Sequence, residues 1–472
     1  MNKNFYNITD YGAVGDGKTI NTAAFDRAIQ ECAENGGGTV YVPAGIFLTA
    51  SITLKSNITL YFEIGSIVKF VQDVAQYKLV QGRWEGSEQE LYTSLIHGKD
   101  LENITISGRG FLDGQGEYWW QLFKNNELKH PRPRFIAFRN CDNVLIEGIR
   151  LVNSPAWTIN PVECHNVTVN KVTIKNPANS PNTDGINPSS SKNVQIANCH
   201  IDVGDDCIAL KSGTEDCPKF VSCENITIIN CTMVHGHGGV VIGSEMSGDI
   251  RNVVISNCIF EGTDRGIRLK SRRGRGGLVE DIRVNNIIMK DVFCTIIMNL
   301  YYFCGKGGKD KRVWDKEIYP VDKSTPSFRR IHFSDITARE VRNAAVFLYG
   351  LPEMPLEEIT FDNISIELAE DARPAVPAMA DKIEPVVQQG FYCNNVRDIK
   401  FINVRVSGHL GPGFEIVNAE GIDFNGCKID KIDENDPCIL FDGVRDTYFS
   451  GNRQEKIKGF LKLRDSKDNG RM

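Results

Sequence analysis

The sequence predicts an all-β chain, a parallel β-helix with a short capping helix at its N-terminus. Two observations carry that prediction. A phrase of Asn followed by alternating β-branched residues recurs along the chain, and its copies stand about one solenoid coil apart with no room between them for a three-turn helix. The phrase reads Asn57-Ile58-Thr59-Leu60, Asn103-Ile104-Thr105-Ile106, Asn143-Val144-Leu145-Ile146 and Asn166-Val167-Thr168-Val169. It continues at Asn193-Val194-Gln195-Ile196, Asn225-Ile226-Thr227-Ile228 and Asn252-Val253-Val254-Ile255, and the intervals from Asn143 onward are 23, 27, 32 and 27 residues. Degenerate copies follow in Ile331-His332-Phe333, Ile359-Thr360-Phe361, Ile399-Lys400-Phe401 and Ile422-Asp423-Phe424.

Each copy alternates apolar and polar residues, the pattern of a half-buried strand, and Gly, Asn, Asp and Ser gather between copies as turn formers. A leucine-rich repeat would need its Leu framework and a βαβ array would need helices, so stacked coils with a continuous core remain. One segment has the helical period, Ala23, Ala24, Ala28, Ile29 and Ala33 after Asn21-Thr22, closed by Gly36-Gly37-Gly38; it caps the open end of the core. With no linker in sight, residues 1–472 read as one domain. Residues 1–50 form the cap and first strands, and from about Asp430 the repeat fades into a charged C-terminal tail, 430–472.

Composition narrows the function. A formal charge of −6 argues against a nucleic-acid binder driven by bulk electrostatics, and no window approaches the ~18 apolar residues of a membrane span. The polar start Met1-Asn2-Lys3-Asn4 lacks the apolar stretch of a signal peptide, which points to the cytoplasm. Fourteen cysteines include no Cys-x-x-Cys pair, which argues against a zinc or redox site. The context Asn140-Cys141, Asn198-Cys199, Asn230-Cys231 and Asn257-Cys258 suggests reduced, buried thiols at equivalent positions of the repeat. The Asn-x-Thr/Ser sequons at Asn7, Asn57, Asn103, Asn166, Asn225 and Asn363 belong mostly to the repeat itself. Gly12-Ala13-Val14-Gly15-Asp16-Gly17-Lys18-Thr19 matches the P-loop pattern, but Asp16 would set a carboxylate inside the phosphate cradle and the surrounding chain is not α/β; it reads as a turn leading into the cap helix.

The densest polar stretches are Asn182-Thr183-Asp184, Gly204-Asp205-Asp206, Gly236-His237-Gly238 and Arg268-Leu269-Lys270. Their steps of 22, 31 and 31 residues are each about one coil, and a further 33 reaches Tyr301 beside Tyr302, so the spacing predicts a single ladder. Neighbouring carboxylates repel and raise one another's pKa, a cost that general acid–base chemistry uses. Glycoside hydrolysis needs one carboxyl protonated to donate to the leaving oxygen and another ionised to activate water. Arg265, Arg268, Lys270, Arg272, Arg273 and Arg275 set six cations in eleven residues of an acidic chain, a patch with which Arg can pair carboxylates in bidentate fashion.

In this order and spacing, Asn-Thr-Asp, Gly-Asp-Asp, Gly-His-Gly and Arg-x-Lys on a β-helix resemble glycoside hydrolase family 28, the polygalacturonase-like pectin hydrolases. The likeness extends to Asp10-Tyr11-Gly12-Ala13-Val14-Gly15-Asp16-Gly17 and to Gly37-Gly38-Thr39-Val40-Tyr41-Val42-Pro43-Ala44-Gly45. It implies a right-handed, pectin lyase-like helix and inverting hydrolysis with no cofactor and no metal. Asp205 is then the general acid, Asp184 and Asp206 position and deprotonate the water, and His237 belongs to the catalytic set. Asn182, Arg268, Lys270, Arg272, Arg273 and Tyr301 or Tyr302 then bind a galacturonide of pectic origin. An inverting pair needs its carboxyls ~6.5–9.5 Å apart, so acid and base should be offset laterally as well as by a coil. Insertions at 110–135 and 301–328, with Trp119, Trp120 and Trp314, should wall one end of the groove and favour exo action, as in the bacterial exo-polygalacturonase branch. Asn160 stands where many of those relatives carry His, which leaves a rhamnogalacturonan- or xylogalacturonan-directed hydrolase as an alternative. A β-helix lyase and a non-catalytic carbohydrate-binding spike are the rivals at class level, and oligomeric state is left unassigned.

Overall fold

The computed structural model describes residues 4–429, 437–453 and 461–464. It divides into two compact units, Met1–Gly236 and His237–Met472, each a stack of parallel strands.

In the first unit, from Gly38–Val42 onward, successive coils add rungs to three sheets. The first sheet runs through Gly38–Val42, Ile58–Phe62, Glu102–Gly108, Asp142–Glu147, His165–Asn170, Lys192–Ala197 and Cys223–Ile229. Register converts the alternating phrase into columns: Ile58, Ile104, Val144, Val167, Val194 and Ile226 stand one above another, each at most 1% exposed. Burying a β-branched side chain contributes roughly 1.5–3 kcal/mol, and a slip by one residue would turn the column outward. The core therefore sets the register.

The Asn that opens each phrase sits in the left-handed region, with φ from 54° to 63° at Asn57, Asn103, Asn143, Asn166, Asn193 and Asn225. Its side chain continues the stack: the Nδ2 of Asn103, Asn143, Asn193 and Asn225 each donates to the Asn one coil before, at 2.8–3.1 Å. Asn tolerates this φ because its short polar group bonds locally. The sequon amides of Asn103, Asn166, Asn225 and Asn363 are thus engaged in side-chain ladders.

The cap helix is Thr22–Glu34, and it buries Ala24, Phe25, Ala28, Ile29 and Cys32. Ala23 is exposed, so Phe25 and Cys32 replace two of the alanines expected on the inner face. Gly37, at φ 107°, passes so close to Asn57 that a Cβ would lie 2.3 Å from its carbonyl oxygen. The P-loop look-alike is a turn folded on its own acid: Asp16 Oδ1 accepts from the backbone N–H of Lys18 and Thr19, and Thr19 Oγ1 donates to Oδ2. These bonds hold the Asp16 carboxyl down at about 2 and occupy the donors that a phosphate would need.

In the second unit, strands such as Leu278–Lys290, Ser327–Val341, Leu356–Leu368, Gln389–Ser407 and Phe414–Asn425 stack with the same logic. The degenerate copies of the phrase build an aromatic column, Phe333, Phe361, Phe401, Phe424 and Phe449, with successive centroids 4.8–5.4 Å apart. At one corner the register alternates charge, Glu280, Arg329, Glu357, Arg397, Glu420 and Arg445. Exposed pairs of this kind contribute at most ~1 kcal/mol each, less than the column beside them. The repeat does not fade at Asp430: Ile439–Ser450 pairs with Phe414–Asn425, and Leu461–Arg464 adds a further rung. Residues 430–436, 454–460 and 465–472 of the tail lie outside the described residues.

The thiols are buried, Cys304 excepted, but not all at one corner. Asn140 precedes its first-sheet strand whereas Asn198 follows its own, so Cys141 stacks with Cys164 and Cys199 with Cys231.

Candidate active site

In the first unit, the third sheet runs through Ile96–Lys99, Ile136–Arg139 and Ile159–Val162, then by single bridges through Ile186 to the strand Asp206–Leu210. The Ile186–Ile208 bridge sets the step at 22 residues, so Asp184 and Asp206 are in register on adjacent rungs, as their spacing predicts. Backbone bonds fix both: Thr158 N–H donates to the Asp184 carbonyl and Gly185 N–H to that of Asp206. Strand His200–Val203 ends at a bend of Gly204 and Asp205, which is how two adjacent aspartates reach one place. Gly204 serves by close approach rather than by a left-handed φ, since a Cβ there would lie 2.5 Å from the Ser180 carbonyl oxygen.

Asp184, Asp205 and Asp206 each bring an oxygen within 4.8 Å of the others. Asp184 and Asp206 are buried and Asp205 is half-buried. The Asp184 carboxyl is held well above the usual carboxylate range by burial and by its two acidic neighbours, with partial relief from Lys211 and from a 2.8 Å bond donated by Asn187. The cluster therefore retains a proton where isolated carboxyls would have lost theirs. Three oxygens at this spacing are also a geometry that a hard cation can enter; Lys211 and Arg132 already supply positive charge there.

An acid whose pKa is raised on folding binds more protons folded than unfolded, so stability falls as pH rises from the ordinary carboxylate range through the raised value. Asp184→Asn is expected to flatten that slope and to raise the thermal midpoint at neutral pH while abolishing turnover. Melting curves at a series of pH values check it, and an unchanged slope would contradict the burial assignment.

Several residues around the acids carry no sequence signal of their own. Arg132, 2% exposed, donates to the carbonyls of Pro155 and Pro181 and to Asn182 Oδ1 at 2.7 Å. Asn182, at φ 53°, thus spends its acceptor on holding the loop that presents Asp184. Burial draws the Arg132 guanidinium down to about 10, against the pull of Glu85, Asp184 and Asp205. Glu85 lies at the tip of an antiparallel hairpin, Leu79–Trp84 with Ser87–Tyr92. The hairpin reaches several coils along: Arg83 bonds Ser190 and Glu163, and the Gly86 carbonyl accepts from Thr214 Oγ1 and Cys217 Sγ. Trp84 stacks on Trp157 at 5.0 Å, with Arg134 over both rings and Lys211 Nζ 4.8 Å from Trp157.

This hairpin, rather than the two tryptophans of the 110–135 insertion, carries the aromatic surface beside the acids. Trp119 and Trp120 are buried, and their helix, Gly116–Lys124, backs the loop bearing Arg132 and Arg134. Asn160 is fully buried and donates to the Asn187 carbonyl, so the departure from the family pattern is an internal one.

In the second unit, His237 is exposed just before the strand Gly238–Gly243. Arg268 and Lys270 lie two apart on Arg265–Lys270, sharing a face opposite the core residues Ile267 and Leu269. The predicted ladder is not in register here. Arg268 pairs with Val241 before it and Ile297 after it, so His237 falls four residues early and Tyr301 four residues late. Past the end of strand Cys294–Asn299, it is Tyr302 whose ring lies near both cations, 5.8 Å from Arg268 Cζ and 5.3 Å from Lys270 Nζ. Tyr301, 1% exposed, packs on Tyr349 beneath Lys316 and Arg273.

Arg273, expected from the sequence to bind the sugar, faces the protein interior instead. All five of its N–H groups are used inside the protein, two on Glu353 and three on the carbonyls of Arg312, Asp315 and Glu317. It clamps the 301–328 insertion and has no donor left for a sugar. Arg272 is likewise turned inward, donating to the carbonyls of Arg273 and Lys306.

The model of the glycosyl hydrolases family 28 matches residues 32–379. A probable polygalacturonase of Vitis vinifera is 36% identical over 80% of this chain and 77% of its own length. An endo-polygalacturonase of Pectobacterium carotovorum subsp. carotovorum is 29% identical over 73% and 84%. Among solved structures, a hyperthermoactive exopolygalacturonase from Thermotoga maritima aligns with TM-score 0.71 and 31% identity, covering 86% of this chain and 93% of that one. Match length and identity together place this parallel β-helix protein in glycoside hydrolase family 28.

Proposed function

We propose that this glycoside hydrolase releases galacturonic acid from the ends of α-1,4-linked pectic oligosaccharides by single-displacement, inverting hydrolysis. The observation that carries the proposal is the cluster of Asp184, Asp205 and Asp206, one oxygen of each within 4.8 Å of the others. In it Asp205, the most exposed of the three, is assigned as general acid, receiving the proton that the cluster shares; Asp184 and Asp206, in register one rung apart and ionised once that proton has passed to Asp205, are assigned to hold and deprotonate one water. Arg268 and Lys270, beside Tyr302, are assigned to the sugar carboxylate. Relatives named polygalacturonase support the substrate class, and the likeness to an exopolygalacturonase supports the mode. The hairpin from Leu79 to Tyr92 supports exo action as well, because it sets a wall with Glu85 near Arg132 beside the acids.

On defined oligogalacturonides, free galacturonic acid is expected from the first turnover, with the new anomeric centre inverted by NMR, while the viscosity of polymeric pectate falls slowly. A ladder of intermediate oligomers with a rapid viscosity drop would overturn exo action. An unsaturated, ultraviolet-absorbing product would overturn hydrolysis.

A further inference from the structure

Residues 375–386 form a strap across the face that bears Arg268. Its two ends meet in an antiparallel bridge between Ala375 and Val386, and both carbonyls accept from Nδ2 of the fully buried Asn343, at 3.0 and 2.7 Å. Arg265 donates to the Pro377 carbonyl, Asn299 Nδ2 and Phe303 N–H donate to the Met379 carbonyl, and Ala380 bridges to Tyr302. The backbone is thus tied to the strand following Arg268 and to the tyrosine over it. From this anchored backbone the half-buried Met379 side chain reaches inward and sets Sδ 2.8 Å from Arg268 Nη2.

A thioether is a weak acceptor, whereas a guanidinium N–H on a carboxylate makes a strong, charge-assisted bond. Methionine also has three rotatable bonds, so its sulfur can leave while its carbonyl stays bonded. We propose that Met379 is a placeholder in the carboxylate seat of Arg268: its sulfur caps the Nη2 of the guanidinium and swings aside when the acidic sugar arrives. The inference rests on the assignment of Arg268 to the sugar carboxylate. It makes Met379 a positioning residue that favours charged over esterified galacturonides, because only a charged oxygen displaces the sulfur at a clear gain.

The test replaces Met379 by residues that change the competitor. Met379→Glu puts a carboxylate of its own on Arg268, and is expected to raise KM for digalacturonate by about tenfold or more with kcat little changed, a bond in the class of charge-assisted pairs having been pre-empted. Binding of the methyl-esterified dimer, measured as a competitive inhibitor, should change far less. Met379→Ala removes the competitor, so KM for digalacturonate should fall or hold. Should the Glu variant fail to melt cooperatively, Met379→Gln, neutral and of like length, is expected to raise KM by a smaller factor. An unchanged KM in the Glu or Gln variant, or a loss in Met379→Ala that is equal for charged and esterified ligands, would overturn the placeholder and leave only a packing role. Wild-type hydrolysis of digalacturonate is scored separately, so failure of the parent assignment and failure of this inference give different results.

Discussion

Asp205→Asn is expected to lower kcat on digalacturonate by about 10²–10⁴, the typical worth of a general acid, while KM and the thermal midpoint move little. The amide has the shape of the carboxyl and can still accept from the Asp206 N–H, which bonds Asp205 Oδ1 at 2.9 Å. What it cannot do is donate an acidic proton to the leaving oxygen. The three aspartates can be separated by leaving group. The phenolate of a galacturonide with an electron-poor aryl aglycone departs without protonation, so that substrate should restore much of the activity of Asp205→Asn and little of that of Asp184→Asn or Asp206→Asn, which lack the groups assigned to the water. Rescue of Asp184→Asn instead would exchange the roles of acid and base.

The part of the fold that repeats was legible because repetition leaves a signal in every coil. Each Asn phrase states its own strand, its left-handed turn and its place in a stacked column, and Asn57 to Asn225 obey one rule. The same holds for the 22-residue step from Asp184 to Asp206, which the Ile186–Ile208 bridge reproduces. Spacing stops reporting register where the chain leaves the rung. Strand register counts only residues inside the ladder, so a step of 31 or 33 that includes part of a turn lands four residues from the true partner, as it does at His237 and Tyr301.

Three further features were invisible for a related reason: their partners are remote in sequence and follow no period. Arg132 meets Asn182 across 50 residues, Arg83 meets Ser190 across 107, and Arg273 meets Glu353 across 80. A run of cations in the sequence carries no mark separating the guanidinium that is used up inside from the one that can face a ligand. Nothing in the run marks Arg273 as the one whose five N–H groups all bond within the protein. The antiparallel hairpin at Leu79–Tyr92 was hidden by its own alternation, which resembles another pair of rungs.

Arg268→Ala and Lys270→Ala are expected to show whether the two cations read the sugar carboxylate. Each should weaken binding of digalacturonate by an amount in the range of a charge-assisted hydrogen bond, about 1.5–3 kcal/mol or roughly ten- to a hundredfold, and each should change binding of the methyl-esterified dimer much less. Both side chains are buried on the face opposite Ile267 and Leu269, with Tyr302 beside them, so they act in surroundings of low dielectric where charge is discriminated strongly. Arg273→Ala is the contrasting variant: with five internal bonds lost and Glu353 left buried without its partner, it should lower the thermal midpoint and reduce charged and esterified ligands alike. Calorimetric titration of both ligands into all three variants, paired with melting curves, separates the two patterns. Equal losses on both ligands for Arg268→Ala and Lys270→Ala would show that these cations, like Arg273, serve the fold and do not read the carboxylate.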